Sequence, residues 1–243
     1  MLFASLCLLS TAVAQTEAPA KKLKVFIFAG QSKMDGRADF DKISDEDKER
    51  LAAIQPRVQL AYNMQPIVPL TGPKGTEGLK KKYGAHHSFG PEIFFGIRLA
   101  EASPDERFLF IKRSVGATSL YGRWNPDWDV AKAKVMGEET AAPLYPDMIS
   151  YLRQVLSAYP KDSCEICGML WVQGEADGNV SVRGPEPAKA YGQNIKNQIT
   201  RVRADLRVLP DRRGGRRVRC QLCFDARGRQ HRRPLGCGQQ HHR

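Results

Sequence analysis

Several things missing from this 243-residue chain narrow what it can do. No apolar run reaches the roughly 20 residues that cross a bilayer as a helix, so no stable membrane span is expected. Gly30 and Gly36 are not followed by the Lys-Ser/Thr pair with which a phosphate-binding loop holds phosphates and magnesium, so a glycine-rich turn here does not mean a nucleotide. Six cysteines are too few for a disulfide scaffold of this length. Cys7 lies in a leader-like segment, and Cys220, Cys223 and Cys237 fall near the C-terminus. Cys164 and Cys167 lie at an apolar run, where a small buried thiol is ordinary. The C-x-x-C pairs 164/167 and 220/223 are separated by 52 residues, far from compact zinc-ribbon spacing, so no metal site is expected.

The last 37 residues contain no lysine. Residues 207–243 hold 11 Arg, 2 Asp and no Lys, a charge of +9, whereas residues 1–206 hold 27 basic and 24 acidic residues. The net charge of +12 therefore belongs mostly to the tail, and the near-neutral body argues against a nucleic-acid partner. The tail has only 6 Leu, Ile, Val or Phe in 37 positions, a composition that predicts disorder. Arg without Lys, after a body that uses both, also suits a coding sequence read out of frame.

What is present begins with Leu2–Ala14, a short apolar run closing on Ala12-Val13-Ala14. It reads as a secretory signal over residues 1–14, with only the α-amino group as its positive end, followed by a linker over 15–22. The chain is then expected to be secreted or periplasmic. Residues 23–206 form one domain with enough apolar content for a sizeable core.

Within it, runs of strand and helix character alternate, the pattern of an α/β fold. Val25–Phe28 is a buried-strand run that stops in Gly30-Gln31-Ser32. Ligands of open α/β sheets sit beyond the carboxyl ends of strands, so Ser32 is a candidate nucleophile; the same position suits a turn or N-cap serine. Ser44–Asp47 starts a helix to about Gln55, Val58–Met64 is a strand, and Pro66–Lys82 reads as a site-rimming loop. A helix begins near Gly90-Pro91, with backbone N–H groups free at Gly90 and an apolar face from Ile93 to Ala100. His86 and His87 precede it in a polar loop and read as surface groups.

Phe108–Ile111 is a second buried strand, opening into Lys112–Leu120. Trp124 and Trp128 follow, suited either to the flat face of a sugar or to loop packing. Tyr145–Tyr159 is an amphipathic helix, Ile166–Val172 a third strand ending in Gln173-Gly174-Glu175-Ala176-Asp177, and Pro187–Leu206 a long helix.

Taken in order, G-Q-S-K-M-D-G-R at 30–37, S-F-G-P-E at 88–92, K-R-S-V-G-A-T-S-L at 112–120 and W-V-Q-G-E-A-D at 171–177 resemble the sialate O-acetylesterase-like, carbohydrate esterase family six branch of the SGNH hydrolases. The resemblance covers roughly residues 23–205. It implies a three-layer α/β/α sandwich with a mainly parallel, flavodoxin-like sheet. The implied activity is cofactor-free removal of O-acetyl groups from sialic acid or a plant or bacterial polysaccharide. Ser32 matches the family nucleophile. The backbone N–H of Ser32, the N–H of Gly90 and the side-chain amide of Gln173 match its oxyanion donors, and Glu175 the acid that orients a catalytic histidine. Lys33, Val172 and Ala176 depart from the usual Asn, His and Ser.

The family's base comes from a late Asp-x-x-His motif, and no Asp-x-x-His occurs in this chain; Asp225 and His231 are six apart. Without an imidazole a serine hydroxyl is a weak nucleophile, so impaired turnover is expected. The alternatives are a catalytically inactive carbohydrate-binding relative and, less in keeping with a leader and a neutral body, an Arg-rich nucleic-acid-binding arm. Sequencing the 3′ end of the gene is expected to return a shifted reading frame near residue 207; a frame that matches the printed tail overturns that reading.

Overall fold

The structure, a computed structural model, describes residues 21–207 except 74 and 76. The expected leader 1–14, the tail beyond residue 207 and its cysteines and histidines lie outside the described residues.

The described chain begins with strand β1 (Leu23–Gly30), the short helix α1 (Ser32–Asp35) and β2 (Ala38–Asp39). Next come α2 (Asp45–Ile54), β3 (Val58–Tyr62), β4 (Val68–Pro69), α3 (Glu77–Tyr83), β5 (Ser88–Phe89) and α4 (Glu92–Ala102). The second half holds β6 (Phe108–Ser114), α5 (Val130–Met136), α6 (Leu144–Ser157), β7 (Cys164–Val172), α7 (Val180–Arg183) and α8 (Glu186–Arg207).

The main sheet has the order β4-β3-β6-β1-β7. Strands β3, β6, β1 and β7 are parallel, and the two-residue β4 is antiparallel at one edge. Side chains alternate across a strand, so a parallel sheet buried on both faces reads as a continuous apolar run. That is how one run supplies two cores. Val25, Ile27 and Ala29, with Leu109 and Ile111, face α6 and α8 through Met148, Leu152, Val202 and Leu206. Phe28, Phe108 and Phe110, with Val58 and Leu60, face α2 and α4 through Leu51, Ile54, Ile93 and Ile97. Rings on this second face pack closely, with Phe28 and Phe110 centroids 5.0 Å apart and Phe26 and Phe95 5.2 Å apart in an edge-to-face arrangement. The result is the α/β/α three-layer sandwich expected from the sequence, with a mainly parallel sheet.

Two local expectations are corrected. Pro66–Lys82 is not all loop: β4 pairs with β3 inside it, and α3 carries Lys80 as an i,i+3 partner of Glu77 rather than as part of a loop. The second buried strand does not stop at Ile111 but runs to Ser114, because Lys112 continues the ladder beside Tyr62 and Phe28 and is itself fully buried.

The strands end level. Gly30 is matched with Ser114 on one side and Val172 on the other, and Tyr62 with Lys112, so three loops begin side by side at one edge of the sheet. Gly30 adopts a φ of 146°, and a β-carbon there would lie 2.1 Å from the Val172 carbonyl oxygen. Gly30→Ala is therefore expected to lower unfolding free energy by at least about 2 kcal/mol, checked by urea titration, with unchanged stability as the contrary result.

Candidate active site

Directly after β1, Gln31 accepts the first helical bond of α1 through its carbonyl, and Ser32 occupies the first helical position. Gln31 makes no side-chain capping bond, which leaves the first N–H groups of this single turn without an internal partner. Gly36 ends the turn at a φ of 96°, and a β-carbon there would lie 2.1 Å from the carbonyl of Phe89. Only glycine lets α1 lie this close to the strand β5, and the approach makes one wall of a cleft.

That cleft has a volume of about 360 Å³ and is bounded by Ser32, Lys33 and Arg37 on one side and by Tyr83, Phe89, Gly90 and Pro91 on the other. Among the described residues the Ser32 hydroxyl is in no hydrogen bond. The Arg37 guanidinium lies over the Tyr83 ring, 5.6 Å from its centroid, and donates to Asp35 Oδ2 and to the Gly36 carbonyl. Gly116, from the loop after β6, closes against Arg37 and Ser32.

Glu175 reaches the serine turn from the loop after β7. One of its oxygens accepts from Gln31 Nε2 and the other lies 3.0 Å from Lys33 Nζ. Both charged groups are well exposed, so this ion pair contributes little to stability. Its consequence is positional, holding the acid over the turn that carries Ser32.

The two remaining expected donors are already engaged. The Gly90 N–H donates to Glu92 Oε1 at 3.0 Å, whereas the sequence suggested a free helix-start N–H. The reason is a carboxylate two residues ahead, folded back from the first turn of α4. Gln173 is buried, and its Nε2 donates to Asp177 Oδ2 at 2.6 Å and to the Thr118 carbonyl at 3.0 Å, while its Oε1 is buried without a partner among the described residues. To hold an oxyanion, each would have to exchange these partners.

Neither His86 nor His87 lines the cleft. His86 is exposed, and His87 Nδ1 lies 3.1 Å from Asp41 at the surface. No imidazole among the described residues therefore bounds the cleft that holds Ser32. His231, His241 and His242 lie outside the described residues.

The tryptophans divide. Trp124 is fully buried, donates from Nε1 to Thr118 Oγ1 and meets Trp171 edge-on at 5.3 Å, so loop packing accounts for it. Trp128 lines a separate cavity of about 440 Å³ between α6 and α8, which shares no residue with the serine cleft. The aromatic walls beside Ser32 are Tyr83 and Phe89 instead.

Buried carboxylates that pattern reading passed over hold the loops in place. Asp177 accepts from the N–H groups of Leu120 and Tyr121 at 2.9 and 2.7 Å, tying the loop after β7 to the loop after β6. Glu138 accepts from the N–H groups of Ser119 and Arg123 and from the Ser119 hydroxyl. Asp35 accepts from Tyr62, Ser114 and Arg37 at once. The signal for Asp177 was its place in W-V-Q-G-E-A-D; Glu138 has no local signal, being 15 residues from its nearest partner, Arg123.

The family described as carbohydrate esterase, sialic acid-specific acetylesterase matches residues 22–210. Among solved structures, a protein from Arabidopsis thaliana is similar at 20% identity and a TM-score of 0.52, over 76% of this chain and 69% of that one. At that identity the likeness is one of fold. A carbohydrate acetylesterase from Xanthomonas citri aligns at 20% identity and a TM-score of 0.43, over 74% of this chain; the match spans 38% of that protein's length. No curated protein matches the chain.

Burial pushes the Asp177 carboxyl above the ordinary carboxylate range, against the opposing pull of its bonds from Gln173, Leu120 and Tyr121. The native state then keeps a proton that the unfolded chain releases near pH 4, so the contribution of Asp177 to stability falls as pH rises from there through its native pKa. In urea titrations run upward from pH 4, wild type is expected to lose ground to Asp177→Asn until the pH passes the native pKa; a constant difference would remove that assignment.

Proposed function

The chain belongs to the carbohydrate esterase, sialic acid-specific acetylesterase family, and from that premise we propose that it is a serine esterase that removes O-acetyl groups from carbohydrate through Ser32. The observation that carries this reading is a serine at the carboxyl end of a central parallel strand, its hydroxyl unbonded among the described residues and its side chain on the wall of a cleft.

In the proposed reaction, Ser32 Oγ attacks the acetyl carbonyl carbon and gives up its proton, and the tetrahedral intermediate expels the sugar hydroxyl to leave an acetyl-serine. Water then hydrolyses that ester to acetate and restores the serine. The Ser32 N–H, free of any helical partner, is the first donor for the oxyanion. Gly90 and Gln173 join it only as they release Glu92 and Asp177, and loss of one effective oxyanion donor typically costs about 2.7–4 kcal/mol in the barrier. Glu175 stands over the turn where an orienting acid would serve a histidine.

The absence of an imidazole from the cleft lining among the described residues supports slow turnover, since a positioned general base is typically worth about 10²–10⁴-fold. The same observation favours a second reading, a relative that binds acetylated carbohydrate without hydrolysing it. Sialic acid and an acetylated polysaccharide both fit the family assignment, and export through the segment 1–14 belongs to the proposal.

The test is hydrolysis of an aryl acetate by the purified chain beside Ser32→Ala. Wild-type turnover that falls at least about 10³-fold in the variant is the expected result. Equal rates remove Ser32 as nucleophile, and calorimetric binding of an acetylated sugar without turnover would then favour the second reading.

A further inference from the structure

Beneath the cleft lies an ion pair shut off entirely from solvent. Lys112 Nζ, from the end of β6, is 2.7 Å from Glu92 Oε2, from the first turn of α4, and both side chains have no exposed surface. Each partner also grips backbone that borders the cleft. Lys112 Nζ donates to the Asp35 carbonyl at the end of α1, at 2.9 Å, and Glu92 Oε1 accepts the Gly90 N–H. The ammonium also faces the Tyr62 ring, 5.0 Å from its centroid, and the Tyr62 hydroxyl donates to Asp35 Oδ1.

Stability alone does not account for such a pair. Two buried charges lose their hydration, and a well-packed apolar pair of similar volume is often as stable or more so. What an apolar pair does not supply is directional bonding to two separate backbone segments at once. Here those segments are α1, which carries Ser32, and the Gly90 wall that faces it.

We propose that Lys112 and Glu92 are positioning residues for the serine cleft: they fix the spacing between α1 and the Gly90 segment, and so the geometry in which an ester meets Ser32. The proposal rests on the reading of that cleft as catalytic. Neither residue lines the cleft, and both act through the backbone they hold.

Two measurements on the full chain test it. The first is hydrogen exchange of the wild type, read at single-amide resolution. The Gly90 N–H is expected to exchange within about tenfold of the Phe28 N–H in the central strand, because its acceptor is a carboxylate anchored in the core. Exchange as fast as in an open loop overturns the anchoring. The second replaces the pair together, Lys112→Met with Glu92→Leu, which leaves no unpaired buried charge. The double variant is expected to melt close to wild type, yet to exchange at least tenfold faster at the amides of residues 33–36, 89 and 90 while Phe28 is unchanged. Its kcat on the aryl acetate is expected to fall at least tenfold with KM altered less than threefold, because a Gly90 segment no longer held at its spacing from α1 loses more than the freed Gly90 N–H restores. Wild-type exchange and kcat in a folded double variant would make the pair merely structural. If the double variant does not fold, the wild-type exchange of Gly90 decides. If wild type shows no turnover, the exchange results still decide the positioning role, and the failure falls on the esterase reading alone.

Discussion

The parallel pairing of β1 with β6 on one side and β7 on the other sets where three loops begin, because Gly30, Ser114 and Val172 are held in one register. Hydrogen bonds continue that grip past the strand ends. The Gln31 N–H donates to the Val172 carbonyl and the Val115 N–H to the Gly30 carbonyl, so the serine turn and both neighbouring loops leave the sheet with fixed directions. Side chains at Gly30 or Gly36 would collide with backbone, which leaves the turn no freedom to widen. A serine placed this way is held by main chain, not by its own side-chain contacts.

Beyond the strand ends there is little regular structure, and the loops meet the requirement for paired backbone groups with buried carboxylates. Asp177 and Glu138 take up N–H groups from residues 119–123, and Glu92 takes up that of Gly90. Each acid is costly to bury, and burial raises the Asp177 carboxyl in spite of three bonds to it. Because these bonds are directional, the loops can close on one another without a continuous apolar core. Tyr62 feels the same arrangement from the other side: burial, and the adjacent charge of Asp35, push its hydroxyl well above the usual phenol range.

The chemistry follows from which groups this scaffold gathers. A serine, an exposed acid over its turn and an arginine on a tyrosine ring come together from residues 32–37, 83 and 175. The backbone and amide donors beside them are spent on internal acids, and no imidazole of the described residues joins the cleft lining. The cleft thus has an unbonded serine and aromatic walls, while the backbone and amide donors beside them are largely committed to holding the loops.

Much of the fold was legible because periodicity is local. Apolar runs at Val25, Phe108 and Ile166, with helical faces at Ile93 and Met148, were enough for an α/β chain with buried parallel strands, and the ordered motifs placed Ser32, Gly90, Gln173 and Glu175 at loops that the structure brings to one edge of the sheet. Sequence could not assign the partners of those groups. A lysine after an apolar run reads as the end of burial, yet Lys112 is fully enclosed, since its counter-charge Glu92 lies twenty residues earlier and meets it only when α4 packs on the sheet. The Gly90 N–H and the Gln173 amide looked available for the same reason: their acceptors are chosen by packing across elements. Residue order determined which groups stand at the strand ends, while the tertiary structure decided which are spent and which remain free, because hydrogen-bond partners are set by proximity in space.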